Sequence, residues 1–414
     1  MTSFDSSPQF NVWRTLLALA IVLVMLATSG WTAARHQRGD TNPLQRALNA
    51  WSDGRFQGKA LPDADADAPS ARLAGFFASL SRAQRLDLAE RYPLAVGNMN
   101  GAPPKLRYRA NRIALEEAVG VERERVRDHR LSTEGRQEAD RRMHRFLSLL
   151  HPKRHVLAFD PTGRGRVAEV FGNLDRAARV SVVVPGVDTD VLTYERTYRT
   201  FSAPAGMAKS LYKAERAQRE GSLPRSASGA PRVAVIAWAD YTSPAGIGVD
   251  AVTAKRAEDG AVRLSNLVRS LPGKKSVALY CHSYGSVVCG VSARDLPSRV
   301  TDIAVAGSPG MRAANAAQLG TGARIWAMRD QDDWIGEIPN LELAGVGHGT
   351  DPVSAEFGAR VLSANGAAGH AGYFEPGTES LDNFARIGVG AYQTLRCAAG
   401  TNSCYHDAED VVSA

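Results

Sequence analysis

Residues 277–285 read Val-Ala-Leu-Tyr-Cys-His-Ser-Tyr-Gly. An apolar, β-rich run stops at Ser283, Gly285 follows, and a helix-like stretch of small and apolar residues runs over 286–293. Few local patterns constrain a chain so tightly. A strand that reverses within two residues into a helix, with a serine at the tip, forms a nucleophile elbow, which belongs at the carboxyl edge of a parallel sheet. The usual pattern has a glycine two residues before the serine. Here that position is Cys281, small enough for a tight turn but bearing a Cβ.

The rest of the chain supplies a sheet for such an elbow. Short apolar runs at 155–159, 167–171, 180–184, 233–238, 276–280, 302–306 and 324–328 alternate with helical patterns, among them 207–219, 252–270 and 311–318. This alternation predicts an α/β fold, a mostly parallel sheet with helices on both faces. Upstream, apolar residues at helical spacing over 72–90, 106–119 and 135–150 predict a helical prefix over 70–150. Residues 92–104 carry Gly-Asn and Asn-Gly dipeptides and read as a turn-rich loop. The expected organisation is an N-terminal tail (1–14), an apolar segment (15–34), a linker (35–69), the prefix (70–150), the α/β domain (151–397) and a polar tail (398–414).

Residues 15–34 carry no charge. At about 1.5 Å per residue they span about 30 Å, enough to cross a bilayer. An uncleaved transmembrane anchor is expected, with a cleaved signal peptide as the alternative. Arg14 precedes the segment and Arg35, Arg38 and Arg46 follow it, a balance that favours a cytoplasmic C-terminal side. The cysteines argue the other way. All four, Cys281, Cys289, Cys397 and Cys404, fall as two local pairs suited to disulfides in an exported domain, although ordinary buried thiols fit equally. The expected location is therefore a membrane, with the α/β domain outside the cytoplasm. Secretion and the cytoplasmic face are the alternatives.

Hydrophobic residues make up 44% of the chain, enough for a large core. The net charge of +7 is mixed in sign, and its densest run, 122–145, alternates Glu and Arg with almost no aromatic residue. That run reads as a solvated helix face, so no nucleic-acid partner is expected. With no phosphate loop, dinucleotide fingerprint or metal-site spacing, no cofactor or metal is expected either.

A serine hydroxyl needs a base, and the base needs a group to orient it. Downstream of Ser283 the acids cluster as Asp330, Asp332 and Asp333 after the 324–328 strand, and Asp333 is the choice for the acid. Of the later histidines, His348 sits in a turn, His406 in the polar tail, and His370 in a small-residue loop before a closing helix. The base is expected to be His370. His282 reads as elbow packing. The oxyanion donors would be the main-chain N–H groups of Tyr284 and of Val187, which follows the turn at Pro185-Gly186.

Together, VVVPGV at 182–187, CHSYG at 281–285, AGSPGM at 306–311, GHGTDP at 347–352 and GHAGY at 369–373 resemble an actinobacterial α/β-hydrolase family of unassigned function. The prefix run RYPLAVGNMNGAP at 91–103, followed by Asn111-Arg112, is similar too. The resemblance covers roughly residues 75–390. It implies the α/β-hydrolase fold and the Ser283, Asp333, His370 assignment, and no particular substrate. Family members usually have glycine at position 281. The function expected is a membrane-anchored serine hydrolase acting on a small-molecule or lipid-like acyl ester. The alternative is a non-catalytic binding or scaffold domain on the same fold.

Overall fold

A computed structural model describes residues 42–64, 70–221, 232–338, 342–343, 346–399 and 404. All but residue 42 belong to one compact unit, Pro43–Ala414. The expected membrane segment and His406 lie outside the described residues. Among the described residues no helix is long and apolar enough to cross a membrane.

Eight strands form the central sheet: β1 Val156–Asp160, β2 Arg166–Gly172, β3 Arg179–Val184, β4 Val233–Ala239, β5 Ser276–His282, β6 Val300–Ala306, β7 Arg324–Met328 and β8 Arg360–Val361. Their order across the sheet is 1-2-4-3-5-6-7-8. Only β2 runs against the others, pairing antiparallel with β1 and β4, while β3 to β8 pair in parallel. Seven of the strands fall on the apolar runs, because a parallel strand covered on both faces needs apolar residues at every position.

Alternate residues of each strand serve opposite faces. Val182 and Leu279 point into one core with Leu264, Leu267 and Val268 of α8 (Lys255–Ser270) and Val287 and Val288 of α9 (Gly285–Ser292). Val183 and Tyr280 point into the other, against α5 (Pro104–Arg127), α6 (Thr133–Leu149), α7 (Pro204–Gly221) and α10 (Glu379–Val389).

The prefix begins earlier than expected. Residues 43–52 form α1 (Pro43–Ser52) and residues 55–60 a small hairpin, where a linker was expected. Trp51 is fully buried there among Leu61, Leu73 and Phe77, and its indole N–H donates to Pro62 O at 2.7 Å. The stretch 72–90 is two helices, α2 (Ser70–Ser79) and α3 (Arg82–Arg91), because Ser81 and Gln84 form a capping box that starts the second. The expected loop at 92–104 holds a short helix, α4 (Pro93–Asn98), which Pro93 opens from its first turn. The helix expected at 311–318 shrinks to a single 3-10 turn, Ala316–Leu319, since Arg312 and Ala313 bond instead to the 348–350 segment.

Two asparagines dock the prefix on the sheet. Asn98 receives the Phe159 N–H at 3.1 Å and donates to Phe159 O at 2.7 Å, standing in for a neighbouring strand at the open edge of β1. Asn111 donates to Gly97 O and Val156 O at 3.0 and 3.1 Å. The charge run is mostly a solvated face, as expected, but Glu122 and Arg142 are buried as an ion pair at 2.6 Å. Arg142 also donates to the carbonyls of Pro161 and Gly163 after β1.

Both cysteine pairs are joined, Cys281 to Cys289 and Cys397 to Cys404. The first links the end of β5 to α9 across a sequence separation of 8. Closing a loop of that size is worth about 2.5 kcal/mol through the unfolded chain. Replacing Cys281 and Cys289 together by alanine should lower stability by roughly that amount in denaturant titration. An unchanged midpoint and slope would contradict it.

Glu215 of α7 is fully buried against β3 and α10, where it accepts from Ser181 Oγ and lies against Gly388. Burial pushes its carboxyl up to about 8, against the Ser181 hydrogen bond and nearby Arg179. The native state therefore keeps a proton that the unfolded chain loses near its ordinary value of 4.5. The associated stability is full below that pH and drains away as pH rises towards about 8. Calorimetry should find Glu215→Gln close to wild type at acid pH and more stable than wild type at pH 8. An offset independent of pH would contradict the assignment.

Candidate active site

The elbow is built from backbone sterics. Ser283 follows β5 directly and sits at φ 55°, a left-handed conformation that non-glycine residues avoid. Its N–H donates to Ala306 O on β6 at 3.1 Å, and its carbonyl accepts the Ser286 N–H at 2.9 Å as α9 starts. A Cβ at Gly285 would collide with the Val184 carbonyl at the end of β3, so the chain can enter the helix here only with glycine. Cys281 is accommodated where glycine is usual because its side chain lies in the apolar core beneath the elbow, bonded to Cys289.

The turn after β3 runs directly over the serine. A Cβ on Gly186 would stand 2.6 Å from Ser283 Cβ and 2.9 Å from its Oγ, so only a bare backbone passes this close. Buried Tyr241 holds that turn by donating to Pro185 O at 2.6 Å and Gly186 O at 3.2 Å. Asp188, at φ 55°, is fixed on both sides: its N–H donates to Pro244 O, and its carboxylate accepts the Gly246 N–H at 2.8 Å. Tyr194 and Tyr241 are both buried supports, Tyr194 donating to Glu169. The N–H groups of Val187 and Tyr284 donate to no protein acceptor among the described residues.

Of the three acids, Asp333 is the one that meets a histidine. Its carboxylate is fully buried and lies 2.8 and 3.0 Å from His370 Nδ1. It also accepts Tyr373 O–H at 2.6 Å and the Ile335 N–H at 3.0 Å. Burial pushes its pKa up, but the hydrogen bonds from His370, Tyr373 and Ile335 outweigh it and hold the carboxyl below its ordinary value. Asp330 instead braces the histidine loop, accepting the Gly369 N–H at 2.9 Å, and Asp332 is exposed. A carboxylate can only accept, so His370 Nδ1 carries the proton and Nε2 keeps its lone pair, the tautomer a general base needs.

His348 is elsewhere employed, bonded through Nε2 to Ala251 O at 2.7 Å and packed edge-on to Tyr284. His282, expected only to pack the elbow, reaches His370: its Nε2 is 2.6 Å from the His370 carbonyl, and the two rings are 4.8 Å apart. Tyr373 was singled out only as part of the GHAGY run, three residues after the histidine. Ser283 Oγ makes no hydrogen bond among the described residues. In unliganded hydrolases the serine–histidine contact is often long and tightens with substrate. Among the described residues no group of three His, Cys, Asp or Glu side chains could hold a metal.

Residues 160–343 match a family described as Alpha/beta hydrolase, a segment that holds Ser283 and Asp333 and ends before His370. An uncharacterised protein of Mycobacterium tuberculosis is 25% identical over 378 residues, covering 76% of this chain and 55% of that protein. The chain thus spans about half the length of that relative. An uncharacterised protein of Mycobacterium bovis is 29% identical over 222 residues, covering 50% of this chain and 77% of that protein. Among solved structures, a dienelactone hydrolase from Anabaena variabilis is similar at 14% identity and a TM-score of 0.35, covering 59% of this chain and 99% of that one. A serine hydrolase without lid from Xanthomonas campestris is similar at 17% identity and a TM-score of 0.28, covering 45% and 74%. The strand order agrees with the family match: residues 160–343 are similar to the alpha/beta hydrolases and lie in a sheet of that fold, and uncharacterised mycobacterial proteins are among the chain's relatives.

Proposed function

We propose that this protein is a serine hydrolase that cleaves esters of apolar acyl groups through a covalent intermediate on Ser283. One observation carries the reading: a serine forced to positive φ at the end of β5, directly after His282, which bonds to the main chain of a histidine whose Nδ1 is held by a buried aspartate. Ser283 Oγ attacks the ester carbonyl as its proton passes to His370 Nε2. The developing oxyanion is met by the N–H groups of Tyr284 and Val187. The C–O bond breaks, and the leaving alcohol takes the proton from His370. Water then adds to the acyl-enzyme, giving its proton to the same nitrogen, and the acid departs with Ser283 restored. Asp333 keeps His370 in the right tautomer and offsets its charge when protonated.

The rim supports an apolar acyl group. Trp334, 43% exposed, packs on the His370 ring at 4.8 Å. Ile247, Val249 and Val252 are exposed on a segment tied to the site by the Gly246–Asp188, Tyr284–Thr253 and His348–Ala251 hydrogen bonds. Solvent-facing apolar side chains around a polar centre suit a ligand with an acyl chain. Anchoring through residues 15–34, with this domain outside the cytoplasm, is part of the proposal, and the two disulfides favour an oxidising compartment.

The free Ser283 hydroxyl favours a second reading, a binding domain that has kept the fold without turnover. A panel of p-nitrophenyl esters from acetate to decanoate separates the two. Wild type should turn over the longer chains best. Ser283→Ala and His370→Ala should lose roughly 10⁴-fold or more in kcat, and Asp333→Asn roughly 10⁴-fold. A wild type no faster than Ser283→Ala on every ester would sink the enzymatic reading in favour of the binding domain.

A further inference from the structure

Resting on the Ser283–His370 reading, we propose that His282 is a positioning residue for the base, holding the His370 main chain to the nucleophile strand through its Nε2–H.

His282 is the last residue of β5 and is 7% exposed. Its Nε2 lies 2.6 Å from the His370 carbonyl oxygen. A carbonyl only accepts, so this nitrogen must carry the proton. The ring is wedged against the His370 ring at 4.8 Å and the Tyr373 ring at 5.8 Å. Burial and the neighbouring His370 push its pKa down to about 3, against the His370 carbonyl and Asp333, so the donor is a neutral imidazole at any working pH.

The histidine loop needs such a hold. Its centre is a single 3-10 turn, Gly369–Ala371, with no buried residue to anchor it by packing. Polar contacts fix it instead. Asp330 takes the Gly369 N–H and Asp333 takes the His370 side chain, and both acids sit on the β7 side of the site. Among the described residues, His282 makes the one hydrogen bond from this turn to the strand that carries Ser283, and it is the residue next to Ser283. The separation of nucleophile and base is thereby set by one rigid link rather than by two loops moving independently. A displacement of about 1 Å at such a pair can cost on the order of 10²-fold in rate.

Full-length wild type, His282→Gln and His282→Leu test the link. Glutamine keeps an N–H donor of similar reach, and leucine fills space without one. His282→Leu should lose roughly 10- to 100-fold in kcat with KM within about twofold of wild type, and His282→Gln should recover most of the loss. Histidine ¹⁵N NMR of wild type, assigned by the variants, should show His282 as the Nε2–H tautomer without titration between about pH 5 and 8. The proposal is overturned if His282→Leu matches wild type in kcat, if His282→Gln is as impaired as His282→Leu at equal Tm, or if His282 carries its proton on Nδ1 or titrates. Should the leucine variant fail to fold, the glutamine variant and the tautomer decide. A wild type without esterase activity would instead overturn the reading beneath the proposal, and the tautomer would still accept or reject the hydrogen bond.

Discussion

The site depends on one backbone conformation. Ser283 at φ 55° is held in a region that costs a non-glycine residue on the order of 1–3 kcal/mol. Such a conformation persists only when its surroundings leave no other. β6 takes its N–H, the first turn of α9 takes its carbonyl, and Gly285 is pressed under the last carbonyl of β3. The Cys281–Cys289 bond adds a covalent brace from the strand to the helix on the far side of the turn. The result is a hydroxyl at the tip of the turn that makes no hydrogen bond among the described residues, with the Gly186 backbone lying across it.

Charge at the site is arranged around a single buried anion. Asp333 accepts from a histidine, a tyrosine and a main-chain N–H, and those bonds outweigh the burial that pushes its pKa up. Tyr373 does double duty: it donates to Asp333 and accepts the Asp330 N–H, so the acid turn and the histidine loop are locked through one hydroxyl. His282 stays neutral next to them. A proton arriving on His370 therefore meets a fixed negative charge and no competing positive one from its nearest ring, the condition for a base that charges during turnover.

Much of this was legible in the sequence, for physical reasons. Seven strands announced themselves because strands covered on both faces must be apolar throughout. β8 did not, since two residues, Arg360 and Val361, carry no pattern. Ser283, Asp333 and His370 were chosen from chain order, with Asp333 preferred over Asp330, and in the fold the two acids differ in whether a carboxylate faces a histidine ring or a loop N–H. His282 had a readable signal that the expectation of elbow packing passed over. Strand alternation puts it on the same face as Tyr280, the face covered by α10 and the histidine loop. The Gly-Asn and Asn-Gly dipeptides before α5 suggested turns, yet Asn98 caps an open strand edge 61 residues away, a long-range use that no local rule encodes. Trp51 was assigned to a linker because one buried tryptophan in a short amphipathic helix is a weak periodic signal.

The proposed function requires the strained serine to be a working nucleophile served by His370. Covalent labelling tests it most directly. The full-length protein is treated with a fluorophosphonate, and the modified peptide is identified by mass spectrometry. The expected result is a single adduct on Ser283, formed in wild type and suppressed when His370 is replaced by alanine. A wild-type protein that stays unmodified, or one that carries its adduct on another residue, would contradict the account.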